Sequence, residues 1–463
     1  MEQREKFSSR LGFILISAGC AIGLGNVYRF PIITGAYGGA LFVLVYLAFL
    51  LLLGIPVMCA ELSVGRASQR SIATSFESLE RKGQKWHWMK YLGIGGNYLL
   101  MMCYTVIAGW MLLYFFKYLS GGIMDVGTAV PDLGAHFGET VSNTGLVIGS
   151  TAATILLCML VCSLGLQKGV ERITKYMMLA LFVLIVGLAV YSCTLPGAGE
   201  GLKFYLIPSL EGLKDVNIGT VITAAMGQAF FTLSVGIGSI AIFGSYISKD
   251  RSLFGEATTI TALDTFIAIA SGFIIFPACF TYAGGVNVDA STVGASFLFT
   301  TLSSIFNSMG AVTGRIVGTL FFLFMIFAAY STVIAVFENI ISFWLEMTNL
   351  KRPVVAAINI GLIFVLALPA ILSLGPWADV TVLKMGFLDL EDFIVSNLLL
   401  PIGSFVYVVF CTWRYGWGWD KFYGEMNTGN GLKFPRWIRR YMTFVLPVII
   451  LGLMIYSLVV KFI

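Results

Sequence analysis

Six residues that a membrane-spanning helix ordinarily avoids stand inside one apolar run. From Leu11 to Pro31 the chain reads LGFILISAGCAIGLGNVYRFP, with Gly19, Gly23, Gly25, Asn26, Arg29 and Pro31 in its middle and end. The run is long enough to cross a bilayer, where each unpaired backbone group costs several kcal/mol. Helix-breakers gathered there free carbonyls and amides that must find partners. The chemistry they offer is coordination of something polar at mid-depth rather than bond making. The stretch GQAFFTLSVGIGSI, Gly227 to Ile240, repeats the feature: Thr232 and Ser234 are followed by Gly236 and Gly238 inside another apolar run.

The composition says what kind of scaffold must carry these stretches. Hydrophobic residues make up 58% of the 463 and charged ones 11%, with a mean hydropathy of +0.89. A soluble domain carries about 25% charge, so the chain reads as a polytopic membrane protein in contact with lipid. A net charge of only +5 argues against a nucleic-acid partner. Eight cysteines are scattered with no C-x-x-C pair, which gives neither a disulfide framework nor a zinc site. The two histidines, His87 and His136, fall in loops, so no predicted crossing holds the base an intramembrane hydrolase needs.

Runs of about 20 apolar residues predict eleven crossings: 11–35, 39–63, 90–118, 145–166, 172–193, 217–247, 256–283, 313–347, 353–374, 391–413 and 440–462. With the N-terminus inside, 22 Lys and Arg fall in inner loops. Only Lys203, Lys214 and Lys384 fall in outer ones, and four more basic residues lie near helix ends. The positive-inside rule then sets the N-terminus in and the C-terminus out. The aromatic cluster Trp413–Trp419 lands at the inner boundary, as interface anchors do.

The Gly-broken first and sixth crossings each open a group of five. Glycines that merely allow close helix packing explain one such helix. Two in register, with Asn26, Arg29, Thr232 and Ser234 alongside, point to an inverted-repeat transporter with its site at the midplane. An odd number of helices per half inverts the second half. One transmembrane domain over 1–463 is expected, with repeat one at about 8–195, repeat two at about 215–414 and an extra helix at about 440–462.

These residues also carry a resemblance. GLGNVYRFP (Gly23–Pro31), GIPVMCAELSVGR (Gly54–Arg66), GQAFFTLSVGIGSI, FAAYST (Phe327–Thr332) and FLDLEDF (Phe387–Phe393) resemble the neurotransmitter:sodium symporter family, in its bacterial amino-acid branch. The similarity runs from Arg10 to about residue 413, and that family is the type case for paired broken helices. It implies the LeuT fold, an all-α membrane protein with a 5+5 inverted repeat. It also implies sodium-coupled uptake of an amino acid across a bacterial cytoplasmic membrane, two Na⁺ sites, and neither an enzyme nor an organic cofactor.

Carried over by motif, the first sodium site comprises the Ala21 carbonyl, Asn26, Thr232 and Asp264. The second comprises the Gly19, Ile22 and Ala328 carbonyls with Ser331 and Thr332. Hard oxygens without Cys or His donors suit Na⁺. The substrate carboxylate would meet the Leu24 and Gly25 amides and the Tyr104 hydroxyl, near the positive end of the following half-helix. Its ammonium would meet carbonyls at Ala21, Phe231 and Thr232, with Ser234 nearby. Cys20, Leu100, Tyr104, Phe231, Ser234, Ile237, Thr332 and Val336 would line the side-chain pocket. That lining holds no fixed ion, so a hydrophobic or aromatic L-amino acid of the leucine, tyrosine or tryptophan class is expected; a charged side chain would be buried unpaired. Cys20 and the eleven-helix plan tilt toward an aromatic substrate, as in bacterial tyrosine transporters.

The resemblance also implies gates. Arg29 and Asp392 would close the outer vestibule over Phe231, while Arg4 and Glu346 with Tyr246 would close the inner side. Glu61, costly within a membrane, is expected to accept hydrogen bonds from the unwound backbone. Tyr46, Gln228, Thr232, Asp264 and Ala268 match the chloride site of chloride-dependent members. Asp264 stands where the family commonly has Asn, and Ala268 where a hydroxyl or carboxylate is usual. A fixed charge at Asp264 can replace the anion, so chloride-independent transport with proton counter-transport is expected. Phe7 replaces a common Trp, which loosens the expected inner latch, and a twelfth helix is missing. A sodium-dependent amino-acid sensor without transport is the alternative, and the sequence leaves oligomeric state open.

Overall fold

The computed structural model describes residues 7, 9–209, 217–285 and 296–462. Among them the protein is helical, with isolated bridges at Arg251–Asn430 and Val382–Met385 but no strand. The principal segments are α1 (Arg10–Ala21), α2 (Gly25–Ala36), α3 (Ala40–Ser68), α4 (Trp86–Ser120), α5 (Thr144–Ser163) and α6 (Leu166–Cys193). They continue as α7 (Ile218–Thr232), α8 (Ser239–Gly244), α9 (Leu253–Tyr282), α10 (Ala311–Met347), α11 (Arg352–Leu372), α12 (Phe387–Thr412) and α13 (Arg436–Phe462). By length and composition nine of these helices can cross a membrane among the described residues, and the bent pair α1–α2 makes a tenth. The sixth expected crossing is instead the 15-residue α7 followed by the 6-residue α8. Five α-helices outside the expected crossings also form among the described residues, at Ser75–Leu79, Val130–Ser142, Ala198–Leu206, Ser296–Ser308 and Trp419–Asn427.

Burial separates the core from the lipid face. The apolar window of α10 is 83% buried and that of α13 only 17%, so α10 is central and α13 peripheral. α10 packs on α1, α4, α5 and α6, whereas α13 leans on α7 and α12.

Both broken segments are where the sequence puts their glycines. α1 and α2 meet at 53°, and Ile22 at the break is extended (φ −71°, ψ 95°). A side chain at Gly23 would collide with the Tyr104 hydroxyl and Thr332 Oγ1. Between α7 and α8 the backbone turns left-handed at Ser234 (φ 51°), Gly236 (φ 107°) and Gly238 (φ 84°). A β-branched or bulky residue at Gly236 would add the strain of that region to a collision with the Leu400 carbonyl.

Candidate functional site

The two breaks face one another and bring their polar groups together in the buried interior. Asn26 Nδ2 donates to Asp264 Oδ1 at 2.8 Å and to the Asp264 carbonyl at 2.9 Å. Thr232 Oγ1 donates to Asp264 Oδ2 at 3.0 Å, while Asn26 Oδ1 accepts from the Gly23 amide at 3.2 Å. All three side chains are fully buried, and Asp264 forms no ion pair among the described residues. A buried carboxylate answered only by neutral groups favours a small cation beside it.

A second oxygen cluster lies where α1 ends against α10. Ser331 Oγ is 2.9 Å from the Ala328 carbonyl and 3.3 Å from that of Ile22. Thr332 Oγ1 lies within 3.3–3.5 Å of the carbonyls of Gly19, Cys20, Ile22 and Ala328. One hydroxyl proton cannot serve four acceptors, so this group of oxygens is short of donors and suited to a hard cation.

Between the clusters sits a small cavity lined by Ala21, Gly23, Gly25, Leu100, Tyr104, Phe231, Ser234, Thr332 and Leu400. It leaves about 10 Å³ for solvent, room for about one water. The Leu24 amide donates to the Tyr104 hydroxyl at 2.9 Å, so two groups expected to meet a carboxylate here meet each other. Ser234 Oγ donates to the Cys20 carbonyl at 3.1 Å, a contact that offsets its left-handed backbone. Cys20, Ile237 and Val336 are buried but do not line this cavity, and Leu24 lines the vestibule outside it. That vestibule, of about 450 Å³, reaches from Leu100, Tyr104 and Phe231 to Arg29, Asp389, Asp392 and Lys461.

Two side chains hold the unwound segment between α7 and α8. Glu61 Oε2 accepts from the Gly236 amide at 2.7 Å, and its Oε1 accepts from the Ile240 and Ala241 amides at 3.0 and 3.3 Å. Asn97, which sequence reasoning passed over, donates to the Ile237 carbonyl at 2.8 Å and accepts from Ser239 and Asn339. An asparagine in the middle of an apolar span was the signal that could have found it.

At the vestibule Arg29 stands 3.7 Å from Asp392, and it donates to Ser396 Oγ at 3.0 Å. Ser396 in turn donates to Asp392 at 3.2 Å, and the guanidinium lies 4.6 Å from the centre of the Phe231 ring. Around the residues expected to form the inner gate the arrangement is richer. Glu346 accepts from the Ser71 amide at 2.6 Å and from Thr74 Oγ1 at 2.8 Å; Arg4 lies outside the described residues. Tyr246 donates to Glu338 at 2.9 Å and pairs with Ser342, and Phe7 packs edge-on against its ring. Glu338 was not singled out from the sequence, although a carboxylate inside a long apolar run carries the same cost as Glu61.

Around the chloride-site equivalents, Gln228 Nε2 donates to the Gly25 carbonyl at 2.7 Å. Among the described residues the Tyr46 hydroxyl and Gln228 Oε1 are buried without a hydrogen-bond partner at ordinary geometry. Ala268 contributes no polar side-chain atom, but its carbonyl accepts from Ser271, which also donates to the Asn26 carbonyl at 2.9 Å.

Broken helices around buried oxygens at mid-depth define a polytopic transporter, and comparison with known proteins agrees. A model of the sodium:neurotransmitter symporter family matches residues 4–124 and 132–462, and the chain belongs to that family of sodium-coupled transporters. It is 31% identical to an uncharacterized sodium-dependent transporter of Bacillus subtilis, over 96% of either chain. The sodium- and chloride-dependent taurine transporter of Rattus norvegicus is 25% identical over 99% of this chain and 78% of its own length. Among solved structures, MhsT in complex with L-phenylalanine superposes with a TM-score of 0.86 at 36% identity, covering 98% of this chain and all of that one. The fold is therefore the LeuT-like fold.

Proposed function

We propose that the protein imports a hydrophobic or aromatic L-amino acid by symport with two Na⁺ ions, independent of chloride, and returns a proton on the empty step. In this reading Ala21, Asn26, Thr232 and Asp264 hold one ion, and Gly19, Ile22, Ala328, Ser331 and Thr332 hold the other. The observation that carries it is the buried Asn26–Asp264–Thr232 cluster beside a cavity lined by apolar and hydroxyl groups. The bound L-phenylalanine of MhsT, at 36% identity, supports the substrate class. The near-closed cavity below a vestibule of about 450 Å³ fits a site reached from one side at a time. The reading includes the two inverted repeats, a bacterial cytoplasmic membrane, and an N-terminus inside with the C-terminus outside.

The test is thermal stabilisation of the purified protein by each of the twenty L-amino acids, in Na⁺ and in choline, followed by uptake into proteoliposomes. Stabilisation by apolar or aromatic amino acids in Na⁺ alone, with flux, is expected. Stabilisation indifferent to Na⁺ would remove the oxygen clusters as ion sites, and binding without flux would make the protein a sensor.

A further inference from the structure

We propose that the N-terminal end of α13, with the adjoining face of α3, binds an anionic phospholipid of the leaflet on the basic side of the protein. From Thr428 to the end of the sequence there is no Asp or Glu, yet Lys433, Arg436, Arg439 and Arg440 fall within eight residues of one another. Arg436, Arg439 and Arg440 are exposed and none forms an ion pair among the described residues. Two of them are held in place without being neutralised: Arg436 lies 5.4 Å from the Tyr423 ring centre and Arg439 5.9 Å from that of Trp419. Cation–π contacts of this kind fix a guanidinium while leaving its N–H edge to other acceptors.

No acidic side chain among the described residues, Asp420 on the helix Trp419–Asn427 included, forms an ion pair with these arginines. Glu425 is taken by Arg66, which donates to it at 2.5 Å, and faces Lys249 at 3.7 Å. Among the described residues the arginine cluster thus keeps its charge unpaired, and that charge calls for a phosphate. Trp437, 78% exposed, stands between Arg436 and Arg439 at the point where the chain enters its apolar helix. An indole in that place sits at headgroup level.

Directly beyond the arginines is a lane for acyl chains. Phe444 and Val448 on α13 are 67% and 70% exposed, and Leu51 on α3 is 66% exposed. The two helices are joined at this level, because the Tyr441 hydroxyl donates to the Leu52 carbonyl at 2.8 Å. A basic cluster immediately before a membrane helix attracts anionic headgroups; here the same surface also supplies an aromatic at headgroup depth and an apolar furrow below it.

The experiment is native mass spectrometry of the full chain released from detergent and titrated with phosphatidylglycerol or phosphatidylcholine of identical acyl chains. Wild type is expected to retain phosphatidylglycerol at least about tenfold better than phosphatidylcholine. R436Q/R439Q/R440Q should erase that preference, and the triple lysine variant should keep most of it. The single changes R439Q and R440Q should each lower it part-way, which keeps the test open if the triple variant does not fold. Equal retention of both lipids by wild type, or undiminished preference in the glutamine variants, would overturn the proposal. A dimer that the glutamine variants split would overturn it too, because the patch would then be a contact between copies.

Discussion

Arg352 grips Glu338 with both terminal nitrogens, each at 2.8 Å, and the same guanidinium donates to the Cys162 carbonyl at 2.8 Å. Tyr246, just past α8, donates to that carboxylate as well. Arg352 of α11 and Tyr246 after α8 therefore close on one fully buried carboxylate of α10, and the buried pair is worth more as a latch than as a source of stability.

Arg352→Gln should release this latch. It strands the Glu338 charge, at a cost of about 3–5 kcal/mol, and the cheapest relief is to let water in from that side. Hydrogen exchange across α8 should rise sharply in R352Q and only slightly in Tyr246→Phe, which loses a single neutral donor. The double change E338Q/R352Q should recover much of the protection, since no charge is then left buried. Equal exchange in wild type and R352Q would mean that the pair holds nothing closed.

Thr332→Ala should weaken Na⁺ binding. Among the described residues the hydroxyl is the only side-chain oxygen found near all of the Gly19, Ile22 and Ala328 carbonyls. Losing one oxygen from a bare cation forfeits a contact of roughly 1.5 kcal/mol, or about tenfold in affinity. The Na⁺ concentration for half-maximal thermal stabilisation should rise by that factor, and Thr332→Ser should restore it. An unchanged Na⁺ titration would separate this oxygen cluster from ion binding.

How much of this was visible beforehand follows from what each signal depends on. The breaks at Gly23 and Gly236 were legible because a helix-breaker in an apolar run has no bland explanation when it occurs twice in register. Glu61 was legible because its charge has to be answered inside the span. Leu400 in the cavity wall was not, because an apolar residue in an apolar helix gives no sign of which face it turns inward. Asn97 and the Glu338–Arg352 pair were missed for a different reason: each partner has an ordinary local reading, and only the tertiary contact across 140 residues or between two helices reveals the role. Arg352 in particular reads as one more inner-loop charge, since the positive-inside rule counts basic residues without asking what they touch.

A pH response is expected at His136 in the helix Val130–Ser142. Its Nε2 lies 2.8 Å from Lys117 Nζ, so the neutral ring accepts from the ammonium. Burial first, and the Lys117 charge second, hold its pKa below the ordinary 6.5, with Glu139 opposing. The folded protein thus favours the neutral ring. Its contribution to stability is whole above about pH 6.5 and is lost as pH falls below that value, because the unfolded chain takes up the proton first. The thermal midpoint should therefore drop between pH 7.5 and 5 by more in wild type than in His136→Gln, which keeps an acceptor for Lys117 but does not titrate. Identical pH profiles would show that the contact carries no stability.

Asp264→Asn tests the replacement of an anion by a side chain. In the wild type a carboxylate already supplies the negative charge among Tyr46, Gln228 and Thr232, and chloride would meet it as a like charge. Uptake should accordingly be the same in chloride and in gluconate. Asparagine keeps the size and one acceptor oxygen but removes the charge, leaving the Tyr46 hydroxyl, buried beside Thr232, as a donor for an anion. D264N uptake should then fall at least about tenfold in gluconate and recover as chloride is added. Its dependence on internal pH should also flatten, because the group proposed to take up the returning proton is gone. D264N that transports without chloride at the wild-type rate, with the wild-type pH profile, would leave Asp264 a structural acceptor for Asn26 and Thr232 and nothing more.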